Sequence, residues 1–171
     1  MWSRSAPPAG FTVCITVQPL CRSWFNVVPT ASSAQAPPSR AHVALFRASG
    51  GRLGGRIRSG APVLLLTTTG RKSGKQRTTP LLYLEDAGRY VVIASVGGAP
   101  KHPAWYLNLL ANPAATIEVG RRKLEVSAST ASPEERARLW PLAVQMYSGY
   151  DAYKAKTTRE IPVVLLSPSA D

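Results

Sequence analysis

The chain has 171 residues, of which 44% are hydrophobic and 18% charged, a balance that fits one packed domain plus a tail and excludes wholesale disorder. It contains no apolar run of the roughly 18 residues that a transmembrane helix needs. Its two cysteines and two histidines exclude a disulfide scaffold and make a Cys/His metal site improbable, so no metal is expected.

The net charge of +12 is unevenly placed. No acidic residue precedes Glu85, whereas 11 Arg or Lys do, and eight of these fall between Arg47 and Arg77. The rest of the chain holds 10 basic and 9 acidic groups. Such asymmetry points to an anionic partner: a phosphate-bearing cofactor, a nucleic acid or an anionic membrane face. A basic, merely solvated surface is the plainer alternative.

Residues 1–40 are rich in proline and carry no acid and no amphipathic period. Arg4, the apolar stretch Phe11–Val17 and Ala34-Gln35-Ala36 loosely resemble a secretory leader, but Pro19 and Arg22 interrupt it. A disordered tail, or a start assigned too far upstream, is the preferred expectation, and Cys14 and Cys21 are given no chemistry. A single domain is expected over 41–171.

Ala41–Ser49 places Val43, Leu45 and Phe46 on one flank, as a short helix would, before Gly50-Gly51 and Gly54-Gly55 loosen the chain. Arg47, Arg52, Arg56 and Arg58 stud this piece, which could lie on a membrane surface. Pro62–Thr69 (PVLLLTTT) reads as a buried strand, Gly70–Gly74 as a turn and Arg77–Leu84 as the returning strand. Pro80 inside that strand predicts an edge position or a bulge. A turn at Asp86-Ala87-Gly88 leads to a third strand, Tyr90–Ser95. Pro103–Leu110 reads as a helix stopped by Asn112-Pro113. Strands at Ala115–Val119 and Lys123–Ala128 flank a turn at Gly120-Arg121. Ser132-Pro133-Glu134-Glu135 is a capping box, and the helix it opens aligns Leu139, Trp140, Ala143, Val144 and Tyr147 despite Pro141. A short turn or helix at Tyr150–Lys156 precedes a last strand, Ile161–Leu166. The fold class is therefore α+β: about six antiparallel strands in a small barrel, with two or three helices at its mouth.

Gly70-Arg71-Lys72-Ser73-Gly74-Lys75 superficially resembles a P-loop. It has one residue too few between the glycines, lacks Ser or Thr after the lysine, and sits between strands instead of before a helix. The turn can still bind phosphate more simply, through converging backbone N–H groups and the donors of Arg71, Lys72 and Ser73. Arg77 lies across the turn, where it and Arg71 could face one anion; a solvated basic hairpin is the alternative. Ser95-Val96-Gly97-Gly98-Ala99 would let backbone approach a flat ligand, or is an ordinary strand-to-helix turn. Tyr147, Tyr150 and Tyr153 are spaced by three, so on a helical turn they share a face that could wall a planar substrate or pack in the core. His102 precedes Pro103 in a loop; a general-acid role is open to it, and an ordinary loop residue is the plainer reading. No Ser-His-Asp, Cys-His or paired-carboxylate arrangement is present, so in an enzyme a cofactor must bring the reactive atom.

From Gly60 to Pro168 the chain resembles the deazaflavin-dependent nitroreductase family, actinobacterial oxidoreductases that use coenzyme F420 on a split, FMN-binding-like β-barrel. The resemblance rests on Leu65-Leu66-Thr67-Thr68-Thr69-Gly70-Arg71-Lys72-Ser73-Gly74, Arg77-Thr78-Thr79-Pro80-Leu81 and Ala94-Ser95 with Gly97-Gly98-Ala99. It continues through His102-Pro103-Ala104-Trp105-Tyr106-Leu107-Asn108-Leu109, Ala111-Asn112-Pro113, Tyr147-Ser148-Gly149-Tyr150 and Ile161-Pro162-Val163-Val164. It implies that Arg71, Lys72, Ser73 and Arg77 hold the phosphate and oligoglutamate tail of the deazaflavin. Thr78, Thr79, Pro80, Leu81 and Leu82, with Ala94 and Ser95, would line its ring and ribityl portion. Trp105, Tyr106 and Asn108 would complete the groove, with Tyr150 reaching the cofactor as well. Tyr147, Tyr150, Tyr153 and Trp105 would border the substrate, and Ser95, Tyr147 and Tyr150 would act on the reacting oxygen. Val96 stands where family members often carry a polar or basic residue, which would weaken a tail contact. The implied reaction is hydride transfer from reduced F420 to a menaquinone-like quinone or a nitroaromatic. The implied setting is a cytoplasmic monomer or homodimer, with peripheral contact at the inner face of the plasma membrane as an option. FMN or haem on the same barrel remains an alternative. Nucleic-acid binding is disfavoured, because Arg71–Arg77 has no aromatic neighbour before Tyr83.

Overall fold

The structure is a computed structural model that describes residues 40–169. The readings made for the N-terminal tail, Cys14 and Cys21 included, lie outside the described residues. Among the described residues six strands form the fold: β1 (Val63–Thr69), β2 (Gln76–Asp86), β3 (Arg89–Ile93), β4 (Ala114–Val119), β5 (Arg122–Thr130) and β6 (Val163–Pro168). They close into a barrel in the order β1-β2-β3-β6-β5-β4, with every neighbouring pair antiparallel. Four α-helices accompany them among the described residues, one or two more than expected: α1 (Arg40–Ala48), α2 (Ala104–Ala111), α3 (Pro133–Met146) and α4 (Gly149–Ala155). The segment read as a turn or helix near Tyr150 is α4, shifted one residue upstream.

The strands' period of two sorts their side chains onto two faces. Leu64, Leu66, Tyr90, Val92, Ile117, Val126, Val164 and Leu166 point inward, and Trp105, Tyr106 and Leu109 of α2 close the barrel over them. Val91, Ile93, Val163 and Leu165 point outward beneath Leu139, Trp140, Ala143 and Tyr150 of α3 and α4. The near-continuous apolar run of β1 follows from burial on both faces.

Pro80 sits opposite Leu65 in β2. Tyr83 donates its N–H to the Pro62 carbonyl of the β1 side, so by alternation the nitrogen of residue 80 faces away from β1. Within β2, β3 pairs only with Tyr83–Asp86, and the first half of β2 is therefore an edge on that side. Proline costs no ladder bond there.

α1 ends in a Schellman motif: Gly51 N–H bonds the Phe46 carbonyl at 2.8 Å and Gly50 N–H the Arg47 carbonyl at 3.2 Å. Phe46 is 1% exposed, and Arg47 Nε reaches the Glu118 carboxylate of β4 at 2.9 Å, which docks α1 on the barrel wall. α3 opens on the expected capping box, in which Ser132 and Glu135 bond one another's backbone N–H groups. Asp86 at the β2–β3 turn binds Arg138 of α3 at 2.7 Å, while Arg89 bridges Asp86 and Glu135, both at 3.0 Å.

Candidate active site

The basic turn between β1 and β2 is clamped from below. Asn108 of α2 is 6% exposed. Its Oδ1 accepts the Arg71 backbone N–H at 3.2 Å, and its Nδ2 donates to Thr68 Oγ1 at 3.1 Å. A buried amide with both ends satisfied holds the turn's backbone rigidly. The turn's glycines make this tight geometry feasible: a Cβ on Gly70 would meet Ser73 Oγ at 2.9 Å, and Gly74 has φ +65. Arg71, Lys72, Lys75 and Arg77 are exposed, and their side chains make no hydrogen bond or ion pair among the described residues. Arg47, Arg89, Arg136 and Arg138 are paired with carboxylates, while Arg52, Arg58, Lys101, Arg121 and Lys123 are also exposed without a carboxylate partner among the described residues; the cations at this turn are set apart by their clustering. Three unpaired cations on an anchored turn, with Arg77 at the start of β2, form a donor set that suits a polyanion.

Thr78, Thr79, Pro80, Leu81 and Leu82, expected to form one lining, divide over two faces, because neighbours in a strand point oppositely. Leu81 packs against the barrel interior and Leu82 against the cluster under α3 and α4. Thr78, Pro80 and Leu82 therefore share the outer face, opposite Thr67, Leu65 and Val63 of β1, and Thr67 Oγ1 lies 2.9 Å from Thr78 Oγ1. Arg77 and Thr79 belong with Leu81, Arg77 facing Thr68 across the ladder.

The outer face is bordered by the tyrosines. Tyr147 caps the end of α3, and Tyr150 and Tyr153 belong to α4, so the three meet across a helix–helix corner instead of on one helix. Their rings lie 5.2 to 6.3 Å apart, and the Tyr147 and Tyr153 hydroxyls are 3.1 Å apart. Gly149 is required beneath, since a Cβ there would run into the Tyr147 ring. Tyr150 is 4% exposed; burial and the neighbouring phenols raise its pKa far above the ordinary value. The bond to Tyr147, with burial, pushes Tyr153 up to about 12. Both remain neutral donors at any working pH. Trp105 and Tyr106 are 5% and 8% exposed and turn into the barrel, where the Tyr106 hydroxyl lies 3.2 Å from Thr130 Oγ1. Their packing is that of core residues.

β3 leads into a single 3-10 turn at Val96–Gly98. Val96 (φ 48), Gly97 (φ 63) and Gly98 (φ 83) are consecutively left-handed. For a β-branched residue that costs on the order of 1–3 kcal/mol and persists only where the surroundings enforce it. A Cβ on Gly98 would lie 2.7 Å from the Tyr153 carbonyl, so the loop is pressed against α4. Ala94 is fully buried and Ser95 is 8% exposed. Arg159, which sequence reasoning missed, holds both ends of this loop: its guanidinium bonds the carbonyls of Ala94, Ser95 and Ala99. The only available signal was a cation just before the apolar Ile161–Leu166 run. His102 lies tilted against Tyr106, with ring centroids 5.2 Å apart, and faces Arg159; burial and that cation lower its pKa.

A family model described as F420H(2)-dependent quinone reductase matches residues 38–168. An F420H(2)-dependent quinone reductase of Mycobacterium tuberculosis strain H37Rv is 43% identical over 131 residues, 75% of this chain and 88% of that one. Among solved structures, an F420-H2 dependent reductase (FDR-A) is 46% identical with a TM-score of 0.58, covering 62% of this chain and 94% of the other. HutZ, a heme storage protein from Vibrio cholerae, shares 13% identity at a TM-score of 0.50, over 77% of this chain and 91% of its own; that likeness shows the barrel alone. With the family model spanning nearly all the described residues and a relative 43% identical over 131 residues, the chain belongs to the F420H(2)-dependent quinone reductase family of oxidoreductases.

Proposed function

We propose that Arg71, Lys72, Ser73 and Arg77 hold the anionic tail of coenzyme F420, and that residues 41–171 form the deazaflavin-binding domain. The outer face at Thr78, Pro80 and Leu82 would receive the ring beside Ser95 and Val96. When bound, reduced F420 supplies a hydride, which a quinone accepts together with a proton to become the hydroquinone. The protein's residues then have three tasks. The cations bind by charge, and Asn108 holds Arg71's backbone for them. The half-buried strand face and the tyrosine corner exclude water and align donor with acceptor. The paired hydroxyls of Tyr147 and Tyr153, with Ser95, offer hydrogen bonds to the acceptor oxygen as charge develops there. Tyr150, being buried, supports that pair from behind. A menaquinone-like acceptor suits the aromatic wall, and a nitroaromatic is the second acceptor to screen.

The observation that carries this reading is the cluster of exposed, unpaired cations at a turn locked from beneath, Arg71, Lys72 and Lys75, with Arg77 at the start of β2. Titrating the full chain with F420 and, separately, FMN at two salt concentrations tests it. Saturable F420 binding that weakens with salt, with FMN binding much weaker, is expected. Arg71→Ala or Lys72→Ala should each weaken F420 by about fivefold or more, as loss of a charge-assisted contact would. Preferential FMN binding would sink the deazaflavin reading.

Peripheral contact with an anionic membrane draws support from Leu45 and Leu53, 50% and 55% exposed, beside exposed Arg52. Cosedimentation with anionic but not neutral vesicles is the expected result. No helix among the described residues is long and apolar enough to cross a membrane. A solved structure 46% identical to this chain is a domain-swapped dimer, which favours the homodimer over the monomer here.

A further inference from the structure

Arg159 lies between α4 and β6, outside every segment to which the sequence assigns a role. Its Nε donates to the Ala99 carbonyl at 2.8 Å, and its Nη2 to the carbonyls of Ala94 at 3.0 Å and Ser95 at 2.9 Å. Nη1 faces His102 Nδ1 at 3.3 Å and the Glu160 carbonyl at 3.4 Å. Ala94 and Ser95 enter the loop after β3 and Ala99 leaves it, so one side chain grips both ends of the segment. Between those ends lie the three left-handed residues, one of them valine. α4 presses on the loop from another direction, through Tyr153 against Gly98. A planar, forked guanidinium can satisfy carbonyls on two sides at once, whereas a lysine ammonium is a single point charge. No carboxylate pairs with Arg159 among the described residues; its bonds go to the loop and to His102, and burial lowers its pKa without removing its charge.

We propose that Arg159 is a positioning residue for the cofactor site: it clasps the 94–99 loop in its left-handed conformation and so fixes where Ser95 and Val96 stand. The link to the cofactor rests on the function proposed above. Glycine adopts left-handed backbone freely and valine does not, so the clasp and the residue at position 96 should be energetically coupled.

The test uses the full chain as wild type, Arg159→Lys, Val96→Gly and the double variant. Two quantities are read: amide hydrogen exchange at Gly98 and Ala99 without cofactor, and F420 affinity by fluorescence titration. Circular dichroism restricts the comparison to folded protein, and Arg159→Gln, which keeps a planar donor, replaces Arg159→Lys if the latter does not fold. Arg159→Lys should speed loop exchange and weaken F420 by about tenfold, as loss of bonds from a charged donor would. Val96→Gly should recover more affinity in the Arg159→Lys background than it changes in wild type. Unchanged exchange overturns the clasp. Faster exchange with unchanged affinity leaves Arg159 a structural residue only and overturns its role in the site. Equal effects of Val96→Gly in both backgrounds overturn the coupling. Failure of wild type itself to bind F420 would refute the proposed function, while the exchange data would still decide the clasp.

Discussion

Gly98 carries two constraints at one position. Its φ of +83 disfavours any side chain, and a Cβ would meet the Tyr153 carbonyl at 2.7 Å and Lys156 Cβ at 2.9 Å. Neither neighbour is free to move, since the first is backbone of α4. Gly98→Ala should therefore cost about 1–3 kcal/mol in unfolding free energy, measured by denaturant titration. It should also separate the loop from α4 and weaken F420 binding. Gly60, with φ +86 and open space around it, is the control: Gly60→Ala bears only the backbone penalty and should leave F420 affinity unchanged. Sequence reading took the Gly97-Gly98 pair as a place where backbone could approach a flat ligand, or as an ordinary strand-to-helix turn, and gave no sign of the protein element that packs against Gly98. That is the α4 backbone, and it is brought there by the corner at Tyr147–Gly149.

At the scale of elements, α2 links the barrel core to the basic turn. Trp105, Tyr106 and Leu109 plug the barrel, and Asn108, on the same helix, reaches Thr68 and the Arg71 backbone. Asn108→Ala removes both bonds and leaves Thr68 Oγ1 and the Arg71 N–H without them. It should cost about 1–3 kcal/mol, and F420 affinity should fall although no cation has been removed. Asn108→Asp tests the direction of the two bonds: a carboxylate still accepts from Arg71 but cannot donate to Thr68, so affinity should be better preserved than in Asn108→Ala. Equal affinity in all three proteins would show that the turn needs no anchor. The family resemblance put Asn108 in the cofactor groove; the structure adds that its amide also bonds Thr68 and the Arg71 backbone. From sequence, an asparagine on a short helix after Pro103 gives no sign of which strand it will meet.

For the molecule as a whole, acid stability should fall in two stages. His102 has a pKa below its ordinary 6.5, from burial and then from Arg159. The unfolded chain therefore takes up that proton first, and stability is lost as pH falls through 6.5 and on through the depressed value. The Arg138 hydrogen bond, with Arg89 behind it, holds Asp86 at about 2 against an ordinary 3.8. Its contribution is complete well above 3.8 and is lost as pH falls towards 2. Melting temperature measured against pH should show both stages. Asp86→Asn should flatten the lower and His102→Gln the upper; an unchanged lower stage in Asp86→Asn would mean that the Asp86–Arg138 pairing contributes nothing to acid stability.

Much of this architecture follows from the chain alone, because strand periodicity, turn glycines and the Ser132–Glu135 capping box are local signals. Six strands, their order along the chain and the basic turn are expected from such signals, and each strand lies within a few residues of its expected position. The concentration of cations before Glu85 is likewise a property of sequence, since charge adds without regard to fold. Tertiary structure decided which side chains face one another. It divided Thr78–Leu82 between two faces, buried Trp105 and Tyr106, and set Asn108 beneath Arg71. It also brought Arg159 across some 60 residues of chain to the loop after β3. Those contacts join elements distant in sequence, and their partners are set by barrel closure, which no local pattern encodes.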